Sequence, residues 1–330
     1  MKNVMYVVVI AVLLTLILSQ FSGRLPYVYP YIQKPVGKYV ENVHETDGVV
    51  DAVITWVDSS NQEWQRQKAL YYSGGDKEDI RFPDTQYPDI ELETCILSIL
   101  KFGKFFRRIY IVTSDNMVPK CIFSNQKIAK SGKIRLVSHS EIWPKEHLSA
   151  LPVFNSHAIE ANLHRIPGLA EKFVYFNDDM YLVRETRPEL WFSGDNILVQ
   201  KMNRSIRDKA SVFGTVWTNM ANLYKPVNQI WHGPYPLTKS AMENAEKSVP
   251  THWLHTLHNR FRSFSDLAPV GYTTNHALKN NTAYLATVPI KLEYFEGDFV
   301  EPRDDSDVVC INLTSDIKKS IDNFRKSVLI

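Results

Sequence analysis

Two adjacent carboxylates, Asp178 and Asp179, follow an apolar run of strand length, within the segment Phe176–Met180. At the end of a strand they would form an oxygen-rich site at a sheet edge. Mg²⁺ and Mn²⁺ prefer oxygen ligands and usually take one or two carboxylates together with substrate phosphates. A metal held there can stabilise the charge that develops in phosphoryl transfer. The alternative is an ordinary turn, in which Asn and Asp are favoured for local hydrogen bonds.

A second group of chemically active side chains lies on a predicted helix, Asn155–Arg165. At helical spacing, His157, Glu160 and His164 share one face and can project together. If this face meets the sheet edge, Glu160 becomes a metal ligand, a group behind the metal or a base. The alternative is a solvated face or core histidines with satisfied hydrogen bonds.

The C-terminal half contributes His232, before a Gly-Pro pair, and Arg262. A histidine in such a turn can act as general base on an acceptor hydroxyl, because its pKa lies near working pH. The planar fork of an arginine suits phosphate oxygens. The alternative for Arg262 is an i,i+4 helix ion pair with Asp266.

The elements that must position these residues alternate between strand and helix patterns. The predicted strands are Val49–Trp56, Arg108–Thr113, Lys133–Val137 and Phe173–Phe176, and the predicted helices are 60–72, Glu91–Phe102 and Asn155–Arg165. Such alternation predicts an α/β fold with a mostly parallel sheet, covered from about residue 183 by helices and loops. Ligands in such sheets bind beyond the carboxyl ends of the strands. The residues just after the predicted strands are Asp58, Thr113–Asn116, His139 and Asn177–Asp179.

Composition excludes one broad class of function. The 330 residues include 38 Lys and Arg against 36 Asp and Glu, a formal net charge of +2. A dedicated nucleic-acid binder needs an excess of cations to displace counterions from the phosphate backbone. We therefore expect no nucleic-acid partner, whereas a small phosphate ligand needs only a few local cations.

The N-terminus predicts a membrane segment. Val4–Phe21 is an 18-residue run that is apolar except for Thr15, Ser19 and Gln20. That is close to the roughly 20 residues needed to span a bilayer. We expect a signal anchor over residues 1–23 rather than a cleaved signal peptide, since no small-x-small cleavage pattern follows. Residues 24–47 would form a stalk and 48–330 the body, placed in the secretory pathway or Golgi of a eukaryote or in the cell envelope of a bacterium.

Cysteines and acceptor sequons add context for that location. The odd set Cys95, Cys121 and Cys310 makes neither a disulfide framework nor a zinc site, although one bridge is possible. The sequons at Asn203, Asn280 and Asn312 fit a glycosylated luminal face.

Taken together, these motifs resemble the Stealth family. That family includes bacterial capsule polymerases that transfer sugar-1-phosphates and the N-acetylglucosamine-1-phosphotransferase that marks lysosomal enzymes. The resemblance covers about residues 49–270 and is densest between 108 and 182. The matching segments are Val50–Asp58, Glu91 to Met180, His232 with Pro234, and Arg262 with Asp266.

The resemblance implies a Rossmann-like nucleotide-sugar transferase core and a set of site residues. It places the essential acidic residues on Glu160 and Asp179, the essential histidine on His232 and the essential arginine on Arg262. Asp178 lies beside Asp179, and the two would hold Mg²⁺ or Mn²⁺. We expect further substrate contacts from Trp56, Asp58, Asn155, His157, His164, Arg165, Asn177 and Asp266.

The predicted reaction is transfer of a hexose-1-phosphate, such as N-acetylglucosamine-1-phosphate, from a nucleotide sugar such as UDP-GlcNAc to a glycan hydroxyl. A nucleoside monophosphate would leave. One alternative is a conventional glycosyltransferase, which releases the diphosphate, and another is a hydrolase that needs no acceptor. A third is an inactive, membrane-tethered glycan-binding or scaffold relative. Two departures motivate it, because Leu97 replaces a basic residue of the family and Leu313 replaces an Asp.

Overall fold

A computed structural model describes residues 37–72, 88–200, 232–263, 265–287, 290–295, 301–311 and 317–329. They belong to one compact unit, Pro35–Ile330. The predicted anchor, the sequons at Asn203 and Asn312, and Leu313 lie outside the described residues. Within the described ranges, no helix combines the length and apolar character needed to cross a bilayer. Cys95, Cys121 and Cys310 are buried and free, so the possible bridge is not formed.

Strands and helices alternate through the first half of the body. The strands are β1 Val50–Trp56, β2 Phe106–Thr113, β3 Ile134–Ser138, β4 Lys172–Asn177, β5 Met180–Leu182, β6 Phe192–Ser193, β7 Asn196–Val199, β8 Tyr235–Thr238, β9 Ala283–Leu285, β10 Leu292–Phe295 and β11 Val308–Ile311. The α-helices are α1 Gln62–Tyr71, α2 Pro88–Phe102, α3 Cys121–Ser124, α4 Gln126–Lys130, α5 His139–Ile142, α6 Ser156–Glu160, α7 Lys239–Ser248, α8 Pro250–His258, α9 Pro269–Lys279 and α10 Ile317–Phe324. The predicted strands β1 to β4 are confirmed to within two residues at each end.

The central sheet has five strands in the order β3-β2-β1-β4-β8. The first four are parallel to their neighbours, and β8 pairs antiparallel with β4. The run Val50–Trp56 is almost wholly buried, as expected for an inner parallel strand covered on both faces. The predicted α/β fold with a mostly parallel sheet is confirmed.

The strand order reverses its direction beside β1. From β1 the chain moves outward through β2 to β3 and then returns to the other side of β1 as β4, so the direction of winding reverses between β1 and β4. Thr55 in β1 pairs with Asn177 in β4, which places the carboxyl ends of the two strands side by side. A reversal of this kind is where open α/β sheets bind their ligands.

The single helix expected over Asn155–Arg165 is wrong. The structure has the five-residue helix α6, followed by a 3-10 turn at Leu163–Arg165. Asn162 Nδ2 donates to the Ala158 carbonyl at 2.9 Å, and Trp253 Nε1 of α8 donates to the Ala161 carbonyl at 3.1 Å. Because these side chains occupy carbonyls that a continuing helix would use, the helix ends and the later residues turn onto another face.

The cover beyond residue 183 is not made of helices and loops alone. Two three-stranded sheets, β10-β11-β5 and β6-β7-β9, accompany the helices α7 to α10. Their strands pair across long sequence separations, as when β5 meets β11. Such short strands carry little local signal, which is why the sequence pattern did not predict them.

Part of the predicted stalk, residues 37–47, is described and lies against the body. Leu285 N donates to the Lys38 carbonyl at 2.8 Å, and Val40 N donates to the Leu285 carbonyl at 3.0 Å. Val40 is buried, and His44 N donates to Ser193 Oγ at 2.9 Å. This stretch therefore runs beside β9 and β6.

Candidate active site

The acidic pair lies in the turn between β4 and β5, at the reversal of the sheet. Desolvation and the negative charge of Asp179 raise the pKa of Asp178 to about 7. Desolvation also raises the pKa of Asp179, while the charge of His232 and the thiol of Cys310 oppose that rise. Cys310 Sγ lies 3.5 Å from Asp179 Oδ2. The two carboxylates thus sit close together in a poorly solvated turn, where a cation would stabilise their ionised forms.

A third carboxylate, Glu91, was not singled out from the sequence. It lies in the first turn of α2. Desolvation and the charges of Asp178 and Asp179 raise its pKa to about 9. An acidic residue in the first turn of a helix facing the strand ends is the signal that could have identified it. Its presence beside the pair places a third carboxyl group at this edge of the sheet.

The acidic residues do not form a complete metal cage by themselves. Among the described residues, no three His, Cys, Asp or Glu side chains converge in the way a protein-only metal site requires. Mg²⁺ is usually held by one or two carboxylates plus substrate phosphates and water. The donor set at Asp178 and Asp179 fits that incomplete kind of site, in which phosphate oxygens supply the remaining ligands.

His232 stands beside the acidic pair. Desolvation lowers its pKa, the negative charge of Asp179 opposes that shift, and the charge of Arg262 adds to it. Its Nδ1 lies 3.2 Å from the hydroxyl of Tyr235, the first residue of β8. The lowered pKa favours a neutral imidazole, which is the form that can accept a proton.

Glu160 is the last residue of α6 and faces the sheet. The Tyr175 hydroxyl donates to its Oε1 at 3.4 Å and lies 3.0 Å from Thr55 Oγ1, which connects Glu160 to β4 and β1. Burial raises the pKa of Glu160, and the positive charges of His157 and Arg262 oppose this rise. The pKa remains above its ordinary value.

Arg262 links the two halves of the site. Its Nη2 donates to Ser156 Oγ at 2.6 Å. Its charge shifts the pKa of Glu160 and of His232, and His232 and Asp179 shift each other's pKa. The four predicted catalytic residues therefore form one continuous electrostatic chain. Arg262 lies outside any helix, so the alternative of a helical i,i+4 pair with Asp266 is wrong.

Asn155, His157 and Asp266 lie behind Arg262 as a buried hydrogen-bond network. Asp266 Oδ2 accepts from Asn155 Nδ2 at 3.0 Å and lies 3.1 Å from His157 Nδ1. Its Oδ1 accepts from Asn259 Nδ2 at 2.6 Å, and Oδ2 also accepts from the backbone N–H of Ser263 at 3.1 Å. The network fixes the segment that carries Arg262 against the start of α6.

His164 and Arg165 are not brought to the acidic pair. Arg165 Nη2 donates to both carboxylate oxygens of Glu246 at 2.6 and 2.7 Å, and His164 Nε2 lies 3.1 Å from the same carboxylate. Glu246 belongs to α7. The expectation that His157, Glu160 and His164 project together is therefore wrong, because the helix ends before His164.

The remaining predicted residues lie at the ends of β1 and β4. Trp56 is buried at the end of β1. Asp58 Oδ1 accepts from the backbone N–H of Ser60 at 3.0 Å and from its hydroxyl at 2.6 Å. Asn177 ends β4 and directly precedes the acidic pair. These three residues line the same edge as Asp178 and Asp179.

The sheet and its acidic edge define an α/β protein with a candidate ligand site at the strand ends. Residues 86–200 match the family model described as Stealth protein CR2, conserved region 2. An exopolysaccharide phosphotransferase of Streptomyces coelicolor is 35% identical over 236 residues, 67% of this chain and 41% of that protein. A capsular polysaccharide phosphotransferase of Actinobacillus suis is 36% identical over 237 residues, 66% of this chain and 61% of that protein. The chain therefore carries conserved region 2 of the Stealth family and is a relative of its polysaccharide phosphotransferases.

The similarity is partial in length. The capsular polysaccharide phosphotransferase LcbA of Neisseria meningitidis is 31% identical over 239 residues, 68% of this chain and 63% of that protein. The chain thus spans between 41% and 63% of these three relatives. Among solved structures, the galactosyltransferase LgtC, in complex with donor and acceptor sugar analogues, has a TM-score of 0.42 at 10% identity, covering 74% of this chain and 75% of that chain. That score is low, and the fold described above rests on the order and pairing of the strands.

Proposed function

We propose that this chain transfers a hexose-1-phosphate from a nucleotide sugar to a glycan hydroxyl, with N-acetylglucosamine-1-phosphate from UDP-GlcNAc as the leading candidate. The observation that carries the proposal is the electrostatic chain Glu160–Arg262–His232–Asp179 at the reversal of the sheet. A transfer reaction at phosphorus needs acidic groups, a base and a cation that binds phosphate. The names of the relatives support the same class of reaction.

The residues fit a divalent cation. Desolvation and the charges of Asp178 and Asp179 raise the pKa of Glu91, and desolvation and the charge of Asp179 raise the pKa of Asp178. Asp178 and Asp179 would hold Mg²⁺ or Mn²⁺, with phosphate oxygens of the donor completing the ligand set. When bound, such a cation stabilises the charge that develops on the transferred phosphoryl group.

The protein side chains then have separate tasks. Arg262 binds a phosphate oxygen of the donor, since its guanidinium faces the site from the segment fixed by Asp266. His232 takes the proton from the acceptor hydroxyl, and that oxygen forms a bond to the sugar-proximal phosphorus. The bond from this phosphorus to the bridging oxygen breaks, and the nucleoside monophosphate leaves. Glu160 is the alternative base, because its raised pKa also suits proton transfer.

The test is to incubate the full-length chain with nucleotide sugars, Mg²⁺ or Mn²⁺ and glycan acceptors, and to identify the nucleotide released. We expect a nucleoside monophosphate that appears only with an acceptor present. Release of the diphosphate would instead identify a conventional glycosyltransferase, and acceptor-independent release would identify a hydrolase. If no donor is turned over, the remaining alternative is an inactive glycan-binding relative.

The first prediction is that Asp179→Asn abolishes this release, because the amide removes half of the charge that holds the cation. Asp47→Asn is the matched control, since Asp47 is exposed and precedes β1 at the opposite end of the sheet. Both variants should unfold at similar temperatures to the parent. Retained turnover in Asp179→Asn would remove the acidic pair from the mechanism.

We also propose that the chain works at a membrane through residues 1–23, in the secretory pathway of a eukaryote or the envelope of a bacterium. The apolar run Val4–Phe21 supports this. Recovery of the full-length protein from carbonate-washed membranes tests it, and recovery in the soluble fraction would contradict it.

A further inference from the structure

A row of aromatic rings rises from the core to the surface beside the candidate active site. We call Trp64, Phe154, Phe261, Tyr72 and Tyr71 the aromatic ridge. Ring centroids are 5.4 Å apart between Trp64 and Phe154, 5.2 Å between Phe154 and Phe261, and 5.6 Å between Phe261 and Tyr72. Trp64 and Phe154 are buried, whereas Tyr71 and Tyr72 are 41% and 39% exposed. The ridge thus has a fixed inner end and an outer end open to solvent.

The outer end is held in place by contacts with its neighbours. The Arg260 guanidinium lies over the Tyr71 ring, 4.5 Å from its centre. Arg260 Nη2 also donates to the Ser149 carbonyl at 2.6 Å, and the Arg260 carbonyl accepts from Phe154 N at 2.7 Å. Because these rings are already ordered, a ligand that stacks on them loses little entropy in fixing them.

The ridge leads directly to the groups that carry the chemistry. Phe261 precedes Arg262, whose charge acts on Glu160 and His232. Trp64 belongs to α1, the helix that follows β1 from the reversal of the sheet. The ridge therefore adjoins the candidate site on the side of Arg262.

We propose that the outer end of the ridge is a subsite for the acceptor glycan, with a pyranose ring stacked on Tyr72 and on the face of Tyr71 that Arg260 does not cover. This inference rests on the proposed function. One face of a pyranose presents C–H bonds, which are apolar and slightly positive, and the face of an aromatic ring is slightly negative. The sugar hydroxyls at the ring edge stay in water, so stacking leaves no buried polar group without a partner.

The charges beside the ridge favour an anionic glycan. Lys68 Nζ lies 5.2 Å from the centre of the Trp64 ring, and Arg260 covers Tyr71. A chain of sugars joined by phosphodiesters carries one negative charge per link, and it is the product that repeated transfer would build. Positive groups along its path attract it. The exposed aromatic surface is two tyrosines, far less than the roughly 800 Å² per partner of a stable protein interface.

The experiment measures the acceptor dependence of transfer by the full-length chain at saturating donor. The acceptor is a phosphodiester-linked oligosaccharide. Tyr71→Ala and Tyr72→Ala should each raise the acceptor KM by about three- to tenfold, since one aromatic contact is worth that much. The donor KM and kcat should stay unchanged. Tyr72→Phe keeps the ring and should keep the parental acceptor KM.

Phe123→Ala is the matched control, because Phe123 is an aromatic residue on α3 that is 76% exposed. It should leave both KM values unchanged. An unchanged acceptor KM in the double variant Tyr71→Ala/Tyr72→Ala overturns the subsite. An equal rise in the donor KM also overturns it, because that result indicates a general disturbance of the site.

Failure of the proposed function is distinguishable from failure of the subsite. If the parent protein turns over no donor, the transferase proposal fails. Titration of the same oligosaccharide, followed by intrinsic tryptophan fluorescence and by saturation-transfer NMR, then tests the subsite by itself. Binding that weakens in the double variant supports the subsite, and the absence of binding overturns it.

Discussion

Asp266 shows how one buried carboxylate organises the candidate site at the scale of single residues. It is 1% exposed, and donors from Asn155, Asn259 and Ser263 converge on its two oxygens, with His157 beside them. All of these groups require an acceptor, which only a carboxylate supplies on both oxygens. The segment that presents Arg262 is therefore held by a group that need not touch substrate.

Asp266→Asn should lower the free energy of unfolding by about 2 to 4 kcal/mol. The new amide group brings donors to a place where the partners also donate. Chemical denaturation measures the change, with the exposed Asp47→Asn as the control that should stay near the parent value. A change no larger than that of the control would show that the network contributes little to the free energy of unfolding.

Arg165 and Arg262 give a matched pair of arginines with opposite expectations. Arg262→Gln should reduce kcat/KM by about 100-fold, because it removes a cation from the reacting phosphate. Arg165→Gln should leave kcat/KM unchanged, since Arg165 pairs with Glu246 of α7. Steady-state kinetics on both variants checks this. Equal losses would show that Arg165 also acts on the reacting phosphate.

At the scale of elements, the sheet is tied together at the end opposite the site. Asp51 in β1 is fully buried and accepts from Arg107 Nε at 3.0 Å and from the backbone N–H of Arg108 at 3.1 Å, both in β2. It also accepts from the backbone N–H of Ala170, just before β4, at 2.8 Å. One side chain thus joins β1, β2 and the approach to β4.

Asp51→Ala should cost about 3 kcal/mol of unfolding free energy, because it leaves buried N–H groups without an acceptor. The acceptor and donor KM values should be unchanged at a temperature where the variant is folded, since the site lies at the other end of the strands. Thermal and chemical denaturation together with kinetics separate the two effects. A lowered kcat in the folded variant would show that Asp51 affects the site as well as the stability of the sheet.

At the scale of the whole molecule, stability should depend on pH through a buried histidine. His139, which begins α5, is 4% exposed, and burial lowers its pKa to about 4. The unfolded chain binds a proton near pH 6.5, so the unfolded state holds more protons below that pH. The contribution of His139 is therefore complete above about pH 6.5 and is lost as the pH falls towards 4.

His139→Phe should make the unfolding free energy fall less steeply between about pH 7 and pH 4, by about 3 kcal/mol at most. A phenyl ring of similar shape takes up no proton. The difference between variant and parent isolates this group from the site carboxyl groups, whose raised pKa values act in the opposite direction. If the unfolding free energies of the two proteins change with pH in parallel, His139 is not the source of the pH dependence.

The sequence by itself determined the alternating strands and helices of residues 49–182 and the position of Asp58 and Asn177–Asp179 at strand ends. Hydrophobic periodicity is a local property, and parallel strands place their carboxyl ends at one edge. The resemblance to the Stealth family pointed to Glu160, Asp179, His232 and Arg262. On spacing alone, Glu160, Asp179 and Arg262 each had an ordinary alternative.

Only the tertiary structure decided which side chains meet. Glu160, His232 and Arg262 come from α6, from the approach to β8 and from the segment after α8. Long-range packing brings them into one cluster, which reaches Asp179 through His232. Glu91 joins that pair because α2 begins beside it, whereas His164 and Arg165 turn towards α7. The physical reason is that contacts between distant parts of the chain depend on how the helices and strands pack together. They also depend on which backbone carbonyls accept hydrogen bonds from side chains far away in the sequence.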